Sequence, residues 1–252
     1  LIWGDAVYRD GVDITPDEFY AKLKTAKVMP STSQITPDEL IKVFAPLVTA
    51  GNAILGIFIS SKLSGTIDSA LQAKAALRNA RIEIIDSLSS AMALGFPVLA
   101  AARALQGGAD FAEAAGVARR AVANSGVLFV VDTLEFLHRG GRIGGAKRLL
   151  GTALNLKPLL EVQDGLVAAL ESVRTKAKAT DRLLDLVAER IGKRRPLRIS
   201  PLHAAAKKEA EALMARAKAR FHPEECFLSE ASPVIGTHIG PGTIGIAYCA
   251  GD

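Results

Sequence analysis

Residues 53–59 read Ala-Ile-Leu-Gly-Ile-Phe-Ile, an apolar run with no polar break, and Ser60-Ser61 ends it. A strand with one face in water alternates polar and apolar side chains. An unbroken run predicts a strand buried on both faces, with helices as its cover. The residues that follow agree. Positions 66–78 have helical spacing behind Ser64-Gly65, and Ile82-Glu83-Ile84-Ile85 is a second buried strand ending at Asp86-Ser87. Helices are predicted over 89–105 and, behind an Asp110 cap, as far as Asn124. This alternation predicts a parallel sheet with helices on its faces. Upstream, Thr15-Pro16-Asp17-Glu18 and Thr36-Pro37-Asp38-Glu39 each open a helix: Thr caps, Pro starts the first turn, and the acids meet the positive helix end. Leu1-Ile2-Trp3-Gly4 reads as the tail of a strand already under way, so an N-terminal segment is expected to be missing.

The rhythm changes near Ser125-Gly126. Residues 127–131 form a strand, and Gly140-Gly141 precedes a basic helix expected over 143–154. Residues 156–162 and 166–170 flank an Asp164-Gly165 turn as a hairpin. Helices follow over 176–191 and 204–220, with short strands at 197–199, 234–237 and 243–248. The prediction is an α/β protein of two domains. Residues 1–125 form an α/β domain with a mostly parallel sheet. Residues 126–252 form an α+β domain with a mixed or antiparallel sheet. No low-complexity linker separates them, so the two are expected to pack closely and share a ligand cleft.

Composition excludes several classes. A 49% hydrophobic chain has material for a core, which excludes global disorder. Lys and Arg exceed Asp and Glu by only 5, and aromatics are 5%, a poor base-stacking platform. The basic run Lys193-Arg194-Arg195, and Arg139, Arg142, Lys147 and Arg148, read as a solvated face or a partner-docking patch rather than a nucleic-acid site. Cys226 and Cys249 form no CxxC pair and read as reduced thiols, which suits the cytoplasm. The uncharged run 87–102 contains Pro97 and is shorter than the roughly 20 residues of a membrane span, and no signal peptide is visible. There is no phosphate-binding GxxxxGK[ST] loop. The four histidines, 138, 203, 222 and 238, lack metal-ligand spacing, so neither a metal nor a cofactor is expected.

Four polar segments fall at predicted strand or helix ends. They are Pro30-Ser31-Thr32-Ser33-Gln34, Ser60-Ser61-Lys62-Leu63-Ser64-Gly65-Thr66, His138-Arg139-Gly140-Gly141-Arg142 with Ile143-Gly144-Gly145, and Gly236-Thr237-His238-Ile239-Gly240-Pro241-Gly242-Thr243. Carboxyl ends of strands are where α/β sheets bind ligands, and helix N-termini there favour anions. Hydroxyls add donors, and Arg142 could pair bidentately with a carboxylate or phosphate. The same serines and threonines could equally serve as helix caps, and the arginines as solvated charges.

Together these segments resemble the DegV family of bacterial fatty-acid-binding proteins. The resemblance also rests on Asp86-Ser87, Val131-Asp132-Thr133-Leu134-Glu135-Phe136-Leu137, Lys157-Pro158-Leu159-Leu160 and Arg174-Thr175-Lys176. It covers essentially the whole chain. It implies a long-chain fatty acid such as palmitate, stearate or oleate between two α/β domains, its acyl chain in an apolar tunnel of the C-terminal domain. Thr32, Ser64 and His238 would meet the carboxylate. Arg142 and Arg174 would steady the head group or dock a partner. The implied partner is a fatty acid kinase that makes acyl phosphate for phospholipid synthesis, so the chain itself would not be an enzyme. Transient membrane contact would be compatible with that role, though no integral membrane segment is expected. The alternative is a serine hydrolase or acyl transferase with Ser64 as nucleophile and His238 as base. It lacks the glycine two residues before Ser64 that a nucleophile elbow requires.

Overall fold

The computed structural model describes residues 1–151 and 156–251. It opens with a hairpin of β1 (Ile2–Trp3) and β2 (Ala6–Val7), then α1 (Pro16–Leu23) and α2 (Pro37–Thr49). Leu1-Ile2-Trp3 is therefore one arm of a local antiparallel turn. Both predicted helix starts are full capping boxes: the Thr15 and Thr36 hydroxyls accept from the Glu18 and Glu39 amides, and each Glu carboxylate accepts from its Thr amide.

The uninterrupted run becomes β3 (Ile54–Phe58), followed by α3 (Thr66–Ala76), β4 (Ile82–Asp86), α4 (Ala91–Gln106) and α5 (Phe111–Asn124). β3 and β4 pair in parallel. α5 runs without a linker into β5 (Ser125–Val130). Then come α6 (Glu135–Arg139), the hairpin of β6 (Lys157–Gln163) and β7 (Leu166–Val173), α7 (Lys176–Ile191), β8 (Leu197–His203) and α8 (Lys207–Phe221). The chain finishes with β9 (Glu225–Cys226), β10 (Ser229–Glu230), α9 (Pro233–Ile239) and β11 (Ile244–Ala250).

Among the described residues the larger sheet has the order β10-β8-β11-β5-β6-β7, with β9 also on the outer edge of β8. Its orientation is mixed: β9 and β10 run parallel to β8, and the other neighbours are antiparallel. β11 is buried along its whole length and shows why a period of two matters. Ile244, Ile246 and Tyr248 point into the core under α7 and α8, while Ala247 and Cys249 point to α4 and α5. The other face of α4 and α5 meets β3 and β4 through Ala101, Ala118 and Ile85. α2 and α3 close the far side of β3 and β4 around Leu40, Phe44 and Ala70. The result is five layers: helices, a small parallel sheet, the α4–α5 layer, the large mixed sheet, and helices again.

Two expected elements differ. Residues 234–237, predicted as a strand, are the middle of α9. Val234 and Ile235 carry the β-branched signal, but Pro233 presets a helical φ and Gly236 lets the helix seat on Phe19 and Tyr20, where a Cβ would collide with the Tyr20 ring. The basic helix expected over 143–154 is instead a 3-10 turn, Gly144–Leu149, and 152–154 lie outside the described residues. Gly144 has φ +49 and sits against the Val167 backbone, so an α-helix cannot continue through it.

The β3 loop and the β6–β7 turn are tied together. Ser60, fully buried, donates to the Gly165 carbonyl at 2.8 Å and accepts from the Lys62 amide at 3.2 Å. Lys62 Nζ donates to the Asp164 carbonyl at 2.7 Å. Gly165 has φ +83 and packs on the Ser60 hydroxyl. Ser60→Ala strands the buried Gly165 carbonyl and takes a partner from the Lys62 amide, so we expect it to lower stability by about 1–3 kcal/mol. Urea unfolding with an unchanged m-value checks this; a midpoint equal to the parent's would contradict it.

Candidate binding site

The segment carrying Thr32 is extended and held at both ends. Ser31 exchanges two 2.8 Å backbone hydrogen bonds with Ile2, and Trp3 Nε1 donates to the Val28 carbonyl at 2.8 Å. At the other end the Thr36 capping box fixes the entry to α2. Ser64 lies in the turn after β3, one residue before the Gly65 cap of α3. Its hydroxyl shares a 2.8 Å hydrogen bond with Thr66 Oγ1. The Gln34 side chain packs directly on Gly65, in the space a Cβ would take, so the two hydroxyl-bearing loops touch there. His238 is in the last turn of α9, and Arg142 follows the Gly140-Gly141 bend after α6.

These pieces converge on one cleft of about 520 Å³, within the range of small-molecule sites. Thr32, Ser64, Arg142 and His238 all line it. Its walls are largely aliphatic and come from both halves of the chain: Ile35, Ile59 and Leu63 from one, Leu137, Ile235 and Ile239 from the other. The sequence reading placed an apolar channel within 126–252. The cleft runs between that half and the first. A second cavity of about 310 Å³, lined in part by Arg139 and Gly140, shares Thr32, Arg142 and His238 with the first. Those three residues therefore stand where the two cavities meet. Arg174 is elsewhere: it is exposed, between β7 and α7, and lines neither cavity.

The electrostatics favour an anion. Arg142 Nε donates to the Leu63 carbonyl at 3.0 Å and Nη1 to the Gly140 carbonyl at 2.7 Å, which aims the guanidinium without neutralising it. Among the described residues it forms no ion pair, and it is the one charged side chain lining the larger cleft. His238 Nε2 and Thr32 Oγ1 share a 2.9 Å hydrogen bond. Burial, helped by the Arg142 charge, lowers the imidazole from 6.5 to about 4, so it is neutral at pH 7. Its Nδ1 is buried without a partner, against Gly140, where a Cβ would strike the ring. If Nε2 carries the proton, it donates to Thr32 and leaves the Thr32 hydroxyl proton free for a ligand. The alternative tautomer would turn that proton toward the ring.

Ser64 is bonded to Thr66 and His238 to Thr32, so the serine–histidine pairing that a hydrolase needs is not the one formed. Among the described residues, no cluster of His, Cys, Asp and Glu is arranged to hold a metal, and no helix is long and apolar enough to cross a membrane. Sequence reasoning missed Ser90, the α4 cap, whose hydroxyl makes no capping bond and lines the cleft. It sits just past Asp86-Ser87 at the carboxyl end of β4, a position that pointed to it.

The DegV family model, described as that of an uncharacterised protein, matches residues 1–251. The chain belongs to the DegV family. A DegV domain-containing protein of Clostridium perfringens is 37% identical over 241 residues, spanning 94% of this chain and 85% of the relative. The structure of a fatty-acid-binding DegV family protein from Thermus thermophilus superposes with a TM-score of 0.92 at 34% identity, covering 98% of this chain and 88% of the other. A stearic-acid-binding protein of Eubacterium ventriosum gives 0.87 at 25% identity, with 98% and 87% covered. These structural neighbours bind fatty acids.

His238 has a testable signature. Unfolded, it takes up a proton near pH 6.5; folded, only near 4. Between these values the unfolded state holds the extra proton, so His238 makes stability rise with pH across that window. His238→Gln should flatten the stability profile there and leave the region above it parallel to the parent's. Urea unfolding at a series of pH values checks this.

Proposed function

We propose that this DegV protein binds a long-chain fatty acid in the cleft and presents its head group to a fatty acid kinase. The observation that carries this reading is the meeting of Thr32, Ser64, Arg142 and His238 in one cleft with aliphatic walls. An acyl chain suits those walls, and each buried methylene contributes about 0.8 kcal/mol, so a long tail can supply most of the affinity. A carboxylate removed from water needs converging donors. Thr32 and Ser64 supply hydroxyls, Arg142 supplies the charge, and neutral His238 orients Thr32. The second cavity, which shares Thr32, Arg142 and His238 and adds Arg139, supports presentation, because it leaves the head group approachable from the side away from the tail. Arg174, exposed and without a place in either cavity, fits partner docking rather than head-group contact. Chemistry would then rest with the kinase, in the cytoplasm, and the chain would need no cofactor of its own.

Mass spectrometry of the purified protein, native and after solvent extraction, should show one long-chain fatty acid per chain. An empty protein that also refuses added oleate and palmitate would overturn the reading. Thr32→Ala and Ser64→Ala should each weaken oleate binding by about 1.5–3 kcal/mol, the worth of a hydrogen bond to a charged group. A competition assay measures this, and parent-like affinity in both would remove the head-group assignment. Arg174→Glu should keep lipid affinity and slow phosphorylation of the bound lipid by a fatty acid kinase. An unchanged phosphorylation rate would leave Arg174 without that role.

A further inference from the structure

A separate cavity of about 250 Å³ lies between the α4–α5 layer and the edge of the large sheet. It shares no residue with the fatty-acid cleft. Its floor is Phe96, Ala121 and Cys249, all buried in the apolar cluster beneath α4 and α5. Its rim is Arg103 from α4, Arg120 from α5 and Arg198 from β8. One carboxylate serves two of these. Glu225 accepts from Arg103 at 2.5 and 2.8 Å and from Arg198 at 2.8 Å. Arg120 forms no ion pair among the described residues. Three guanidiniums against one carboxylate leave an excess of positive charge over a hollow of apolar floor.

We propose that this hollow is a second ligand site, for a small monocarboxylate with an apolar body. The floor favours hydrocarbon over an inorganic anion, which would have to give up its water for no polar partner there. The rim favours a carboxylate over a neutral hydrocarbon, since Arg120 is free to pair with it in the planar two-bond geometry of guanidinium and carboxylate. Size sets the class. The hollow is about half the volume of the fatty-acid cleft, so it takes a medium-chain or aryl acid rather than a long-chain one. The inference is independent of what fills the larger cleft.

Octanoate is the probe, titrated into protein labelled at Ala, Val and Ile methyl groups and followed by NMR. The expected result is saturable shifts at Ala100, Val117 and Ala121, absent with octan-1-ol. Arg120→Gln, an exposed substitution, should weaken those shifts' midpoint about tenfold, the loss of one charge-assisted pair. Ala100→Leu, which narrows the hollow, should abolish them while Arg120→Gln reports on charge alone. Shifts confined to Ile59 and Ile239 would mean that octanoate enters only the larger cleft and would overturn the proposal. So would equal binding of octan-1-ol, or an unchanged midpoint in Arg120→Gln.

Discussion

The α4–α5 layer is buried on both faces, and the rest of the molecule is arranged around that constraint. Helices squeezed between two sheets must present small side chains in both directions. Ala93 and Ala121 approach the large sheet, and Ala101 and Ala118 approach the small one. Large residues are placed where the sheets leave room, as Phe96 is beside Phe227, their rings 5.8 Å apart. Close approach on both sides brings the carboxyl ends of β3 and β4 alongside α6 and α9. The cleft is the gap left where those loops meet.

The chemistry of the cleft follows from what is neutral there as much as from what is charged. A protonated His238 beside Arg142 would place two cations in a half-buried space. Burial and that guanidinium together keep the ring uncharged. A neutral imidazole can then work as an orienting group for Thr32. The Arg142 charge is left uncompensated because its two protein partners are carbonyls, which fix its direction without cancelling it. An anionic head group entering this space would find one full positive charge and several hydroxyls already in place.

Much of this was legible in the residues. The apolar run before Ser60, the Thr-Pro-Asp-Glu helix starts and the Asp164-Gly165 turn are local signals, and each element appears where it was read, though β3 past Ile54 is only half-buried. Thr32, Ser64, Arg142 and His238 could be singled out because hydroxyls, glycines and an arginine crowd the ends of elements. What was not legible depended on contacts far apart in the chain. α9 is helical because Gly236 fits against Tyr20, more than two hundred residues away. The 3-10 turn at Gly144 answers to the Val167 backbone. The cleft draws its walls from both halves because the loop at Ser60 is bonded to the turn at Gly165, a pairing no periodicity announces.

A shared middle layer also decides how this molecule comes apart. α4 and α5 belong by sequence to the first half, yet they cover one face of the sheet built by the second. Removing either half would expose an apolar helix face to water on a scale that neither sheet could tolerate alone. The N-terminal residues add to this, since Trp3, Phe19 and Tyr20 share a cluster with Ala204 and Ala231. The change of topology at Ser125 is therefore no seam between separate cores, and the two sheets are expected to unfold together.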